Sequence, residues 1–199
     1  LIMFKPLVCL GMSTHKLQGI NNKAICKAAL ELQDDKMGPE GNTRHEDSEY
    51  PLDDKDCKKL FNKVLEIARK EIHSKLILFE NDVWAHILEP NESTMLHIHQ
   101  SGPKNGPPPI SWVYYPSSPP RSGNIVFTFE CNANRVNIEE EIEESKLIFF
   151  SGAIPHYTKK NFSNKNRISI SGNFNLPLDT HWDTFDEENW LAYVGDFVN

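Results

Sequence analysis

From residue 76 to residue 174 the chain is a succession of short runs rich in branched and aromatic side chains, at 76–88, 110–115, 124–130, 146–151 and 167–174. Clusters of Pro, Gly, Ser and Asn separate them. Repeated short runs bounded by turn residues are the mark of a β-sandwich or barrel, and this pattern constrains the fold more than any other feature of the sequence. Segment 100–109, with Gly102, Pro103, Gly106 and three consecutive prolines, cannot be a central strand, because proline lacks the amide a ladder needs; it reads as an exposed flap. The acidic run 139–144 reads as a solvated loop or edge.

The first 75 residues follow a different rhythm. Ile25, Ala28, Ala29 and Leu32 recur at helical spacing behind Asn21 and Asn22, either of which can cap the free amides of a helix start. Leu60, Phe61, Val64, Leu65, Ala68 and Ile72 form a wider apolar stripe, with Asp53 and Asp54 placed to meet the positive end of that helix. Polar residues 37–50, with Gly38, Pro39 and Gly41, read as a surface loop between the two helices. The apolar opening 1–11 is interrupted by Lys5 and Pro6 and lacks the basic leader and cleavage pattern of a secretory signal, so it reads as a first strand.

A chain of 199 residues with 39% hydrophobic content suits a single globular domain. Its formal charge of −7 opposes broad attraction to phosphate backbones and makes nucleic acid a poor partner. No run approaches the roughly 20 apolar residues of a membrane span, so the expectation is a cytoplasmic protein with no membrane partner. The four cysteines, Cys9, Cys26, Cys57 and Cys131, are scattered and read as free thiols, and the sequons at Asn91 and Asn161 carry little weight without a secretory signal. The tail 176–199 carries Trp182, Phe185, Trp190, Leu191, Tyr193 and Phe197, too much apolar surface to hang in water. It is expected to dock on the body or to join two copies as a homodimer.

The chemistry concentrates in Leu96-His97-Ile98-His99, where strand alternation puts both imidazoles on one face. A third histidine follows in Ile154-Pro155-His156. Next comes Arg167-Ile168-Ser169, whose arginine and serine share a face and can together hold a dicarboxylate, the guanidinium bidentately. A lone His-x-His is a weak signal, but this order of features points to a metal.

The motifs Ser111-Trp112-Val113-Tyr114-Tyr115-Pro116, Ser122-Gly123-Asn124-Ile125-Val126-Phe127, Lys146-Leu147-Ile148-Phe149-Phe150-Ser151, Pro155-His156 and Arg167-Ile168-Ser169-Ile170 resemble the Fe(II)/2-oxoglutarate-dependent dioxygenases, in particular the prolyl-hydroxylase-like branch. The resemblance covers about residues 76–174. It implies an α+β, mainly β fold: a double-stranded β-helix core (jelly-roll, cupin-like) over about 76–175, with helical residues 1–75 packed on one sheet and the tail docked beside it. It also implies that His97, His99 and His156 ligate Fe(II), and that Arg167 and Tyr115, with Ser169 as a further donor, hold 2-oxoglutarate. The implied reaction consumes 2-oxoglutarate and O2, releases succinate and CO2, and hydroxylates a small-molecule or peptidyl substrate.

The sequence also departs from that family. His99 stands where an aspartate is usual, which makes the site one charge more positive. The alternative is that only His97 or only His99 binds, with a carboxylate such as Glu92 or Asp82 completing the set. Trp112 replaces a glycine, and Gln100 opens an insert in place of a shorter, proline-led turn. Two other readings fit the same residues: a cupin-like three-histidine metalloenzyme that does not use 2-oxoglutarate, and a non-catalytic ligand-binding barrel.

Overall fold

A computed structural model describes residues 11–31, 42–44, 55–72, 75–78, 83–99, 110–131 and 134–174. The expected flap at 100–109, the tail at 176–199, Asp82 and residues 1–10 of the expected first strand lie outside them. Among the described residues two helices, α1 (Asn22–Glu31) and α2 (Lys55–Glu71), accompany nine strands: β1 (Met12–Lys16), β2 (Asn42–Arg44), β3 (Val83–Leu88), β4 (Ile110–Ser117), β5 (Ile125–Cys131), β6 (Asn134–Glu140), β7 (Lys146–Ser151), β8 (His156–Thr158) and β9 (Arg167–Phe174). They form a six-stranded sheet, ordered β1-β7-β4-β9-β3-β2, and a three-stranded sheet, ordered β6-β5-β8. Every strand pairing is antiparallel.

Alternation along the strands divides the interior into two cores. Val83, Ala85 and Ile87 of β3, Trp112 and Tyr114 of β4, Leu147 and Phe149 of β7, and Ile168, Ile170 and Phe174 of β9 point to one side of the large sheet. There they meet Ile25 and Ala29 of α1 and Cys57, Leu60, Phe61, Val64 and Ala68 of α2. Both helices thus pack on one sheet, as their apolar stripes require. The Asn21 side chain caps α1, its Oδ1 accepting from Ala24 N at 3.3 Å. Asp56 lies in the first turn of α2 and Arg69 and Lys70 in the last, each sign matched to the helix dipole.

The odd-numbered residues of β4, Val113 and Tyr115, and the even-numbered residues of β7, Ile148 and Phe150, face the other way. They close a second core against Ile125 and Phe127 of β5, with Ile142 and Ile154 from the connections. On β9 the residues left for this inner face are Arg167, Ser169, Ser171 and Asn173, a polar stripe inside a largely apolar slot.

The polar segment 37–50, expected as loop, contributes β2, which pairs with β3 through Asn42↔Ile87, Thr43↔His86 and Arg44↔Ala85. Asn-Thr-Arg has no alternating pattern; what places it there is the free backbone edge of β3. The acidic run begins at the end of β6, which among the described residues is an edge strand paired with β5. Pro116 sits in β4 where the register against β9 shifts between Tyr114 and Ser117, a bulge that tolerates its missing amide. Asn161 is fully buried, its Nδ2 donating to Leu88 O and Lys165 O at 2.9 Å each, which closes that sequon to a glycan. No helix among the described residues is long and apolar enough to cross a membrane.

Candidate active site

A single backbone bridge joins His97 to His156, with His97 N donating to His156 O at 3.0 Å and His156 N donating to His97 O at 2.9 Å. His99 N donates to Gly152 O at 2.9 Å. The segment carrying His97 and His99 is therefore laid along the β7–β8 connection and β8, and residues far apart in sequence meet at one mouth between the sheets. The ring nitrogens of the three histidines that can serve as ligands all lie within 4.8 Å of one another. Ring centroids are 4.3 Å apart for His97 and His156, 4.9 Å for His99 and His156, and 5.5 Å for His97 and His99. His156 is buried, His99 half-buried and His97 exposed, so the cluster is walled on one side and open on the other.

Each ring is held through Nδ1. His97 Nδ1 lies 2.9 Å from Met95 O, and His156 Nδ1 lies 2.8 Å from Ile154 O. A carbonyl oxygen only accepts, so both rings carry their proton on Nδ1 and present a lone pair at Nε2. His99 Nδ1 sits 2.7 Å from Ser111 Oγ and 2.9 Å from Asn173 Oδ1. Burial pushes His99 down to about 4, against the Asn173 hydrogen bond and with help from His97. Burial and His97 likewise push His156 down to about 3. Both rings are neutral at pH 7, the form a divalent metal binds without displacing a proton. Trp84, Phe127 and Phe150 pack around the cluster, with Trp84 edge-on to His99 at 5.4 Å.

Of the carboxylate alternatives, Glu92 is committed elsewhere: its Oε2 accepts from Glu89 N at 2.7 Å and closes a turn. Among the described residues the clustered donors are the three histidines. The set of imidazole nitrogens fits Fe, Zn, Ni or Cu and fits Mg or Ca poorly.

Arg167 is 1% exposed at the other end of the β9 stripe. Burial holds its guanidinium down to about 10, with Tyr115 opposing, so it remains a cation at pH 7. Nη1 donates to Gly123 O at 3.2 Å, while Nε has no partner among the described residues. The Tyr115 hydroxyl is also buried and has no partner among the described residues, and its ring centroid is 5.9 Å from Arg167 Cζ. Burial pushes the Tyr115 phenol up to about 12, against the pull of Arg167, which leaves it a neutral donor. Ser169 is buried on the same face two residues along. A desolvated cation beside an unused hydroxyl is a cradle for an anion, because each unmet group costs about 1–3 kcal/mol until something satisfies it.

Gly123 and the Asn173–Ser111 pair carry no mark of these roles in the sequence. Gly123 adopts φ +86°, and a Cβ there would stand 2.0 Å from Lys159 O and 2.8 Å from Lys160 O. Only glycine lets this loop press close enough to offer its carbonyl to Arg167. The one advance signal for Asn173 is its even spacing from Arg167 on a strand.

No family model matches the sequence, and no curated protein is similar to it by sequence. Solved structures are similar in fold. A Pseudomonas putida prolyl-4-hydroxylase shares 15% identity at a TM-score of 0.58, over 84% of this chain and 94% of that one. HygX from Streptomyces hygroscopicus, with nickel, 2-oxoglutarate and hygromycin B bound, shares 12% identity at a TM-score of 0.63, over 87% and 86%. The viral collagen prolyl hydroxylase of Paramecium Bursaria Chlorella virus-1, in its 2-oxoglutarate complex, shares 13% identity at a TM-score of 0.53, over 83% and 96%. The chain has the fold of the 2OG-Fe(II) oxygenases. The histidine cluster, carried by β8 and the segment bridged to it, meets the inner face of β9 at Asn173, and Arg167 lies at the other end of the same β9 stripe.

Proposed function

We propose that this protein is a single-domain Fe(II)- and 2-oxoglutarate-dependent oxygenase that hydroxylates a small-molecule or peptidyl substrate. Its two sheets are then the walls of a double-stranded β-helix, with the reaction in the slot between them. The observation that carries the reading is the Arg167–Tyr115 cradle: a buried cation and a buried phenol, each with a donor unused among the described residues, on the inner face of the large sheet whose far end, at Ser111 and Asn173, meets His99 of the metal-ligand cluster. In a three-histidine cupin-type enzyme Arg167 would instead bind the substrate directly, so binding and consumption of 2-oxoglutarate separate the two readings.

In this reading His97, His99 and His156 hold iron through Nε2. Arg167 and Tyr115 grip the far carboxylate of 2-oxoglutarate, and Ser169 adds a donor along its length. Bound iron, with O2 and 2-oxoglutarate, supplies the oxidising chemistry, and the cosubstrate leaves as succinate and CO2. The chain supplies position and dryness. The apolar slot excludes water around the cosubstrate, the three neutral imidazoles leave the metal's charge undiminished, and exposed His97 marks the side from which substrate enters. HygX, which binds nickel and 2-oxoglutarate on the same fold, supports the pairing of the two sites.

The test is calorimetric titration of 2-oxoglutarate into protein loaded with Mn(II), alongside succinate formation with Fe(II) and ascorbate. Metal-dependent binding is expected, with slow succinate release even without substrate. A metal-loaded protein that ignores 2-oxoglutarate would refute the reading.

A further inference from the structure

The three candidate ligands are not held alike. His97 and His156 each lean on the carbonyl two residues earlier, Met95 O and Ile154 O, backbone groups that no side-chain substitution removes. The equivalent carbonyl for His99 is that of His97, which already accepts from His156 N at 2.9 Å in the bridge between the two segments. His99 has instead been given two side chains, Ser111 of β4 and Asn173 of β9, which are register partners across the sheet.

The hydrogens in this trio can be assigned. Ser111 Oγ donates its only proton to Asn173 Oδ1 at 2.7 Å. It then has none for His99, so Nδ1 of His99 is the donor, shared between Ser111 Oγ and Asn173 Oδ1. Asn173 is 6% exposed and Ser111 is fully buried, so water does not readily substitute for either. We propose that Asn173 is a positioning residue, whose side-chain oxygen, steadied by Ser111, locks His99 in its Nδ1–H tautomer and so turns the Nε2 lone pair toward the metal. This rests on the metal-site reading above, but the lock itself is a property of the metal-free protein. Its consequence is that His99, at the position where the resembled family carries a carboxylate, is the one ligand whose strength is set by replaceable side chains.

The experiment uses the full-length chain labelled with 15N-histidine. Long-range 1H–15N correlation at pH 7.5 reads the tautomer of each ring without metal, and Co(II) titration, followed by visible absorption, reads affinity. The wild type is expected to show His99 as Nδ1–H. Asn173→Leu, of similar size but without an acceptor, is expected to mix the tautomers at His99 alone. Its Co(II) affinity should fall about 10- to 100-fold, the usual effect of losing a partner behind a ligand. Asn173→Asp keeps an acceptor and is expected to retain the tautomer and most of the affinity. Ser111→Ala should fall between them.

An Nε2–H His99 in the wild type would mean that the Asn173 amide is reversed, and would overturn the proposal even if no variant folds. Unchanged tautomer and affinity in Asn173→Leu would overturn it too. Failure of the wild type to bind Co(II), with His99 still Nδ1–H, would sink the metal reading and leave the lock standing.

Discussion

Removing the guanidinium of Arg167 should have opposite effects on cosubstrate affinity and on the stability of the metal-free protein. With 2-oxoglutarate bound, Arg167→Ala leaves a carboxylate desolvated and unpaired, which typically costs about 2–5 kcal/mol. At about 1.4 kcal/mol per factor of ten, affinity measured by calorimetry on the Mn(II)-loaded protein should fall at least 30-fold. Arg167→Lys should recover only part of this, since an ammonium keeps the charge and loses the planar fork. Metal affinity should be unchanged. In the empty protein the same residue is a liability: it is 1% exposed and its Nε meets no described partner. Arg167→Met, which fills similar space without a charge, should therefore raise stability by roughly 1–3 kcal/mol, read as a Tm several degrees higher at a rate of about 2–4 °C per kcal/mol. Equal cosubstrate affinity in wild type and Arg167→Ala would refute the assignment of the cradle. A Tm several degrees lower in Arg167→Met would show that the cation is already paired in the empty protein, and that no anion pocket stands ready.

His156→Ala should reduce metal affinity by well over 100-fold in a Co(II) titration, since it removes the most buried of the three candidate ligands; near-normal affinity would take it out of the site. Gly123→Ala should lower stability by about 2–5 kcal/mol, combining a left-handed conformation with a backbone collision 2.0 Å from Lys159 O, and should weaken 2-oxoglutarate binding because the carbonyl holding Arg167 moves. Thermal melting and calorimetry read the two effects, and an unchanged Tm would contradict the packing of this loop. The metal-free protein should lose stability on acidification through its histidines. Above pH 6.5 folded and unfolded chains both hold His99 and His156 neutral, whereas from 6.5 down to about 4 and about 3 the unfolded chain takes up protons that the folded one refuses. Each ring then costs up to about 1.4 kcal/mol per pH unit. Urea unfolding at pH 7.5 and pH 5 should show this loss, and His156→Gln should reduce it; an equal loss in the variant would place the acid sensitivity elsewhere.

The elements that could be read from the sequence are those that bury a face. Strands β7 and β9 begin and end where the apolar runs begin and end, and α2 carries the stripe that its buried Leu60, Phe61, Val64 and Ala68 announce. Strands β1, β2 and β6 left no such trace, because each is an edge held by backbone pairing that accepts almost any side chain, and Asn-Thr-Arg pairs with β3 as well as an alternating run would; β8 buries His156 and Thr158 but is three residues long, too short to show a period. The same division runs through the candidate site. Histidine and arginine advertise themselves because few other residues do their chemistry, and their order along the chain was enough to single out His97, His99, His156 and Arg167. Asn173 and Gly123 have no such signature. Asn173 acts on His99 only because β9 pairs with β4 in the register that sets it beside Ser111, and Gly123 acts on Arg167 only because the 159–160 backbone presses against it. Their roles are products of the pairing of distant strands, so they become visible only when the register is known. A search of sequences for this kind of centre would therefore find the candidate ligands and miss the residue proposed to position one of them: a chain with the same three histidines but leucine at the position of Asn173 would look identical by motif and, if the proposal holds, should bind metal one to two orders of magnitude more weakly.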